Sequence, residues 1–414
     1  MLTKVSQRVS CKVPGMKIDR LDVVNLRFEY PPAQAFQYAG GTCTGRLTSL
    51  IRVHTDTGCV GVGSVYSHPA LVHLVVKQQL EPMLRGHDPC DVEALWDRMY
   101  RLTRWYGRKG AAMSALGGID VALWDLRGQA LGKPVWALLG GRDRSCPAYA
   151  SALLWNTPAK LAEEACGHIE QGFRRVKMRL GRSIEYDTAA VQAVRAAIGP
   201  GHDLIVDASM RYDLAIARRI GKVLEDNRVF WYEEPFAPED LDRYRELRGT
   251  VGVPIAAGEN EFGAQGFREL LRTKAVDIVQ PDCSRCGGIS EVWRVAQEAA
   301  AEGVRVATHT WSDAVTVVAN AHVISAMPNG ITVEVDQTGN PFIERLLVEP
   351  LSIVDGRLQL SDAPGLGIEL DEAVVEEFRL PDPLEIPPGN YSDMAFGAEY
   401  YTPASPYQEQ RCSR

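Results

Sequence analysis

The sequence is missing the marks of several common classes. No apolar run in its 414 residues is long enough to cross a bilayer, so no membrane span is expected. Lys and Arg number 45 against 53 Asp and Glu, a net charge of −8, which argues against a nucleic-acid surface. No second CxxC accompanies Cys283-Ser-Arg-Cys286, so a tight loop holding two small residues is expected there rather than a zinc site. None of the eight histidines stands two residues from another, which removes the His-x-His pair that a zinc hydrolase on an ordinary barrel would want. Gly61-Val-Gly63 lies inside a hairpin pattern, not between a strand and a helix, and is therefore no dinucleotide fingerprint. Met1 to Ser10 has no apolar core of the signal-peptide kind, and the nine cysteines are odd in number and scattered. A reducing compartment, the cytoplasm, is the expectation.

What is present is a beat. Short apolar runs end in polar residues at Lys177, Asp207, Glu233, Glu259, Asp282, His309 and Glu334, and the two steps from Asp207 to Glu259 are 26 residues each. That spacing fits one buried parallel strand, a loop and a crossover helix, repeated. In a parallel barrel all strand C-termini lie on one rim, so these residues would meet in one pocket. Asp207, Glu233 and Glu259 would repel one another there, and with no cation among the three a divalent metal is the simplest compensation.

Length predicts one barrel-sized domain plus a smaller one. Residues 16–28 read as a strand, and 47–66 as a hairpin turning at Asp56-Thr57-Gly58. Residues 29–46 read as a long irregular connection, a candidate lid. Helices are expected over 69–84, 92–103 and 111–131, the last with Met113, Leu116, Ile119, Leu123 and Leu126 as a core-facing stripe. Arg108-Lys109 between glycines reads as a solvated turn. The proline-rich Pro381 to Pro388 reads as an extended strap on a surface.

Taken together, Ser114-Ala-Leu-Gly-Gly-Ile-Asp-Val-Ala-Leu-Trp-Asp125, Leu138-Leu-Gly-Gly141, Val176-Lys-Met-Arg179, Val206-Asp207, Tyr232-Glu-Glu-Pro235, Gly258-Glu-Asn260, Gln280-Pro-Asp282 with Gly287-Gly288, and His309 resemble the enolase superfamily. The match is to its mandelate racemase subgroup, and within that to acid-sugar dehydratases. The resemblance implies an α/β fold, a modified TIM barrel (β/α)7β with an α+β capping domain made from both chain ends. The expected limits are 1–142 for the cap, 143–375 for the barrel and 376–414 for a tail returning to the cap. It implies Mg2+ on Asp207, Glu233 and Glu259, a small carboxylate substrate and a homo-oligomer, and hard oxygen donors on rigid strand ends suit that ion. Glu234 should point elsewhere, since successive strand residues alternate.

A Lys or His base with Mg2+ is the superfamily's own combination, so that pairing is inherited from the resemblance. Here His309 follows Asp282 by one beat, and a carboxylate on one imidazole nitrogen raises the basicity of the other. Lys177 should contact the substrate carboxylate, and Glu334 should hydrogen-bond substrate at the opposite pole, with Asp336 on the same strand face. Where the family usually carries Lys-x-Lys, this chain has Lys177-Met178-Arg179. A guanidinium does not accept protons, which disfavours a racemase or epimerase needing a base on both faces of the carbon. A second departure is Ser209, where an Asn is common. The expected activity is dehydration of an aldonate or aldarate. The alternatives are a cycloisomerase of a sugar-acid lactone, a racemase or epimerase of the same superfamily, and a catalytically silent protein on the same fold.

Overall fold

The computed structural model describes residues 15–38, 41–386, 390–391 and 394–396. Near the N-terminus, β1 (Ile18–Glu29), β2 (Phe36–Tyr38), β3 (Gly41–Thr55) and β4 (Val60–Val65) form an antiparallel sheet with β3 paired to each of the others. The expected loop over 29–46 is thus mostly sheet: Phe36 pairs with Cys43, Tyr38 with Gly41, and among the described residues only the segment from Tyr30 to Ala35 is irregular. The aromatic side chains explain this, because Phe36 packs edge-on against Tyr30 and gives the short strand a face to bury.

Helices follow at Pro69–Leu84, interrupted by a π turn over Val76–Leu80, at Val92–Thr103 and at Ala111–Leu131. The last is no one-sided stripe, since every residue from Ala112 to Leu126 is buried. It is clamped between two layers and is therefore apolar all round. On one side β4 approaches so closely that a Cβ at Gly63 would stand 2.0 Å from the Gly118 carbonyl oxygen, and one at Gly61 2.2 Å from that of Ala122. The Gly-x-Gly of this hairpin is a packing device. On the other side the helix meets the barrel: Trp124 Nε1 donates to Ser290 Oγ at 2.9 Å, and Asp120 accepts from the Ser290 backbone at 2.9 Å. Gly63→Ala should cost about 1–3 kcal/mol, the usual penalty for overpacking; an unchanged thermal midpoint would contradict this account of the interface.

The barrel strands are β5 (Ser145–Ser151), β6 (Arg175–Arg179), β7 (Asp203–Asp207), β8 (Trp231–Glu233), β9 (Ile255–Ala257), β10 (Ile278–Val279), β11 (Arg305–Thr308) and β12 (Gly330–Asp336). Each is parallel to the next, and β12 pairs back onto β5, closing the ring. Seven helices, from Pro158–Glu170 to Ala314–Ala326, cover the outside, one between each pair of consecutive strands. Tyr149, Ile205, Trp231, Ala256, Ile278 and Ala307 fill the interior, so the barrel is a packed core with its free surface at the strand ends.

After β12 a short hairpin adds antiparallel to β5 and a helix spans Glu372–Phe378. Arg379 then bridges to Leu26, and Met394–Phe396 pairs with β3 of the N-terminal sheet. Of the proline-rich stretch, residues 381–386 run without regular structure and 387–388 lie outside the described residues. The two units are joined by buried polar contacts. Asp313 accepts from the hydroxyls of Thr48 and Ser64, and Arg46 on β3 pairs with Asp336 at the end of β12. Asp336 is therefore committed to holding the cap.

Candidate active site

Asp207, Glu233, Glu259, Asp282 and His309 lie at or just past the C-terminal ends of their strands, and Lys177 and Glu334 each stand two residues inside theirs. The structure brings all of them together. One oxygen each of Asp207, Glu233 and Glu259 lie within 4.8 Å of one another. Lys177 Nζ is 2.7 Å from Glu233 Oε1 and 2.7 Å from Glu334 Oε1, and Arg179 is ion-paired with Asp207.

Two expectations need correction here. Cations do stand among the three carboxylates, because Lys177 and Arg179 share one face of β6, beside β7. Lys177 and Glu334 are also direct partners and not opposite poles. Closure of β12 onto β5 leaves only one strand between their positions.

His309 Nδ1 donates to Asp282 Oδ2 at 2.8 Å; the acceptor-only carboxylate assigns the proton to that nitrogen. Its other nitrogen is 3.8 Å from Glu259 Oε2 and 4.0 Å from Glu334 Oε2. Asp282 is held in turn by the Ser284 backbone N–H and hydroxyl, both at 2.8 Å, and by Asn320 Nδ2 at 3.1 Å. Sequence reasoning missed these holders. Ser284 had a signal, the two-residue offset of an Asx turn, while Asn320 arrives on a helix far along the chain. Trp231, which donates to Glu233 Oε2 at 2.9 Å, was also legible as the same-face residue two positions earlier on β8. Ser209 donates its backbone N–H and hydroxyl to Asp207 Oδ1 at 2.6 and 3.2 Å, which preserves a local hold on that carboxylate. Glu234 adopts a left-handed backbone with φ of 33° and accepts from Asn260 at 2.9 Å. Its burial and the charges of Glu259 and Glu233 push its carboxyl up to about 8.

Electrostatics divide the rim. Burial would raise Glu233, but Lys177 and Arg179 outweigh it and hold that carboxyl below its ordinary range. For His309 burial lowers the imidazole, yet the Glu259 charge, the bond to Asp282 and the Glu334 charge together lift it to about 9. Without a metal, protonation of His309 therefore supports the fold. That contribution is complete below about pH 6.5, the ordinary value for histidine, and is lost as pH rises through about 9. In EDTA, the thermal midpoint of the protein minus that of His309→Asn should fall across this window; a flat difference would show that the imidazole is not held by these acids.

The cap closes one side. Tyr66 meets the His309 ring edge-to-face at 5.5 Å and donates its backbone N–H to Ser284 O at 3.0 Å. Tyr30, Cys43, Tyr66 and Trp311 form a buried cluster with Phe36 and Tyr38 against it. Arg108 and Lys109 are both exposed, as expected of a solvated turn, and Lys109 also pairs with Glu261 on the loop after β9. Cys283 and Cys286 are buried free thiols, each pushed well up by burial, as a small-residue loop requires.

Residues 160–374 match the Enolase C-terminal domain-like family, and residues 23–140 match the Mandelate racemase / muconate lactonizing enzyme N-terminal domain. The chain belongs to the enolase superfamily. Among its relatives in the mandelate racemase and muconate lactonizing enzyme family is a D-galactarolactone cycloisomerase of Agrobacterium fabrum, 37% identical over 84% of this chain and 95% of that one. An arabinonate dehydratase of Saccharolobus solfataricus is 32% identical over 79% of this chain and 89% of that one. A racemase of Streptomyces coelicolor solved with bound magnesium superposes with a TM-score of 0.81 at 28% identity, covering 88% of this chain and all (100%) of that one.

The acidic trio of this enolase-superfamily chain fits a hard divalent cation. It offers three carboxylate oxygens on adjacent strand ends, and Glu259 Oε2 is buried with no hydrogen-bond partner among the described residues. Such an orphaned charged oxygen is costly unless something binds it.

Proposed function

We propose that the protein is a Mg2+-dependent dehydratase of a sugar acid, an aldonate or aldarate. The observation that carries this reading is the asymmetry of the rim: one side has a His309–Asp282 dyad, the other only Arg179. Asp207, Glu233 and Glu259 would hold the ion. Bound there, Mg2+ would supply positive charge to an enediolate and offset the Glu259 charge that keeps His309 protonated.

The chain's own groups do the rest. Lys177, fully buried and ion-paired with Glu233 and Glu334, holds the substrate carboxylate. The free nitrogen of His309 takes the proton from the carbon next to the carboxylate, while the proton on Nδ1 stays on its bond to Asp282. Arg179 stays charged, because Glu334, Glu259 and Glu233 together outweigh the burial that would lower it. It stabilises the developing negative charge and returns no proton to the opposite face. The electron pair left on the α-carbon expels the β-hydroxyl, to which the protonated His309 gives its proton, so water leaves. The resulting enol becomes a 2-keto-3-deoxy acid. Glu334, held by the Thr310 backbone N–H at 3.0 Å, accepts a hydrogen bond from substrate beside Lys177.

The second reading, a cycloisomerase of a sugar-acid lactone, is favoured by the aromatic side chains of Tyr66, Phe36 and Tyr38 in the cap. A closed ring presents flat faces for such side chains to pack on, and an open polyol presents hydroxyls. Incubation with Mg2+ and a panel of open-chain sugar acids and lactones separates the two. A 2-keto-3-deoxy product trapped by semicarbazide from an open-chain acid supports dehydration, whereas turnover confined to lactones favours the rival.

A further inference from the structure

Trp311 stands two residues beyond His309 and is almost fully buried. The guanidinium carbon of Arg179 lies over its ring, 4.8 Å from the centroid. The guanidinium carbon of Arg46 lies over the same ring, also at 4.8 Å. One indole thus serves two cations, Arg179 from the barrel and Arg46 from the cap. Like charges are brought to a shared ring only if each is anchored. Arg46 is anchored by Asp336, by Thr338 Oγ1 at 3.0 Å and by the Tyr30 hydroxyl at 3.2 Å. Arg179 is anchored by Asp207.

Arg179 has a choice that Arg46 does not. Asp207 pairs with it, and the charges of Glu334, Glu259 and Glu233 all act on it. A long, flexible cation facing four carboxylates has several ion pairs of similar energy open to it. A planar guanidinium stacked on a ring keeps one orientation, because stacking fixes its plane while ion pairing fixes only its distance.

We propose that Trp311 is a positioning residue that fixes the plane of Arg179, and that the docked cap completes this support by placing Arg46 on the same ring. This rests on the reading of Arg179 as the charge-stabilising group of the reaction. The cap then contributes to catalysis through a contact that touches no substrate, and its docking and the orientation of a barrel cation are coupled.

Two measurements test it. The first needs no turnover: the Nε–Hε resonance of Arg179, assigned by its absence in Arg179→Lys, should show a ring-current shift in the protein. That shift should disappear in Trp311→Leu, persist in Trp311→Phe and change in Arg46→Lys, which keeps the charge facing Asp336 but not the planar stack. A resonance unmoved by Trp311→Leu overturns the proposal.

The second is a double-mutant cycle on whichever acid the panel identifies. Trp311→Leu should lower kcat about tenfold or more while Trp311→Phe stays within about threefold, and in the Arg179→Lys background the Trp311→Leu change should cost less than about twofold further. Losses that simply add would overturn the coupling. If the resonance behaves as expected and the protein turns over no acid, the dehydratase reading fails while the positioning stands.

Discussion

His309→Asn should abolish exchange of the α-proton with D2O for every acid the protein accepts, lowering the rate by at least about 10^3, within the range general-base catalysis contributes. The substitution keeps a side chain of similar reach that can still bond Asp282, yet it removes the ring nitrogen that takes the proton. Asp282 accepts four hydrogen bonds, from His309, Asn320 and both groups of Ser284, so its carboxylate is immobilised and Nδ1 keeps its proton. Asp282→Asn should therefore also be severely impaired, since an amide can present its NH2 to Nδ1 and leave the wrong tautomer. Exchange that survives in His309→Asn at anything near the parental rate would remove the histidine from the mechanism. The dehydratase reading would go with it, because Arg179 offers no substitute base.

The second large effect concerns the acidic trio. Glu259→Gln should lower activity at saturating acid by at least about 10^3, the order expected when preorganised positive charge is lost from a developing anion. EDTA should do the same to the parent. Loss of activity alone does not identify a metal ligand, and thermal shift does. Mg2+ at about 100 times its Kd should stabilise the parent by about 2.7 kcal/mol, and the variant by little. Without Mg2+ the Glu259 charge acts in two opposed ways: it repels Asp207 and Glu233 but attracts protonated His309, 3.8 Å away. The metal-free variant should therefore melt close to the metal-free parent. A variant that still gains stability from Mg2+ as the parent does would dissociate Glu259 from the ion.

Phase carried much of the site. Apolar runs with a polar residue at each end, some 26 residues apart, report strand ends whatever the intervening helices contain. Asp207, Glu233, Glu259, Asp282 and His309 were all legible for that reason, and they face one hollow with Lys177, which stands inside its strand. The buried helix Ala111–Leu131 was legible as a helix but misread as one-sided, because periodicity reports a stripe only when one face meets water. The segment around Phe36–Tyr38 was misread as loop, since its glycines and prolines speak for turns while its pairing partner is visible only once β3 is placed.

The order of the polar residues along the chain, and the inability of Arg179 to act as a base, follow from the sequence alone. They depend on strand periodicity and on side-chain chemistry, both of which are local. Which charges neutralise which was decided by the tertiary structure. Closure of β12 onto β5 sets Lys177 against Glu334, and the docking of β3 puts Arg46 on Trp311 and Asp336. Coulomb and stacking energies depend on separations of a few ångströms, and such separations between residues up to 290 positions apart exist only when the chain is folded.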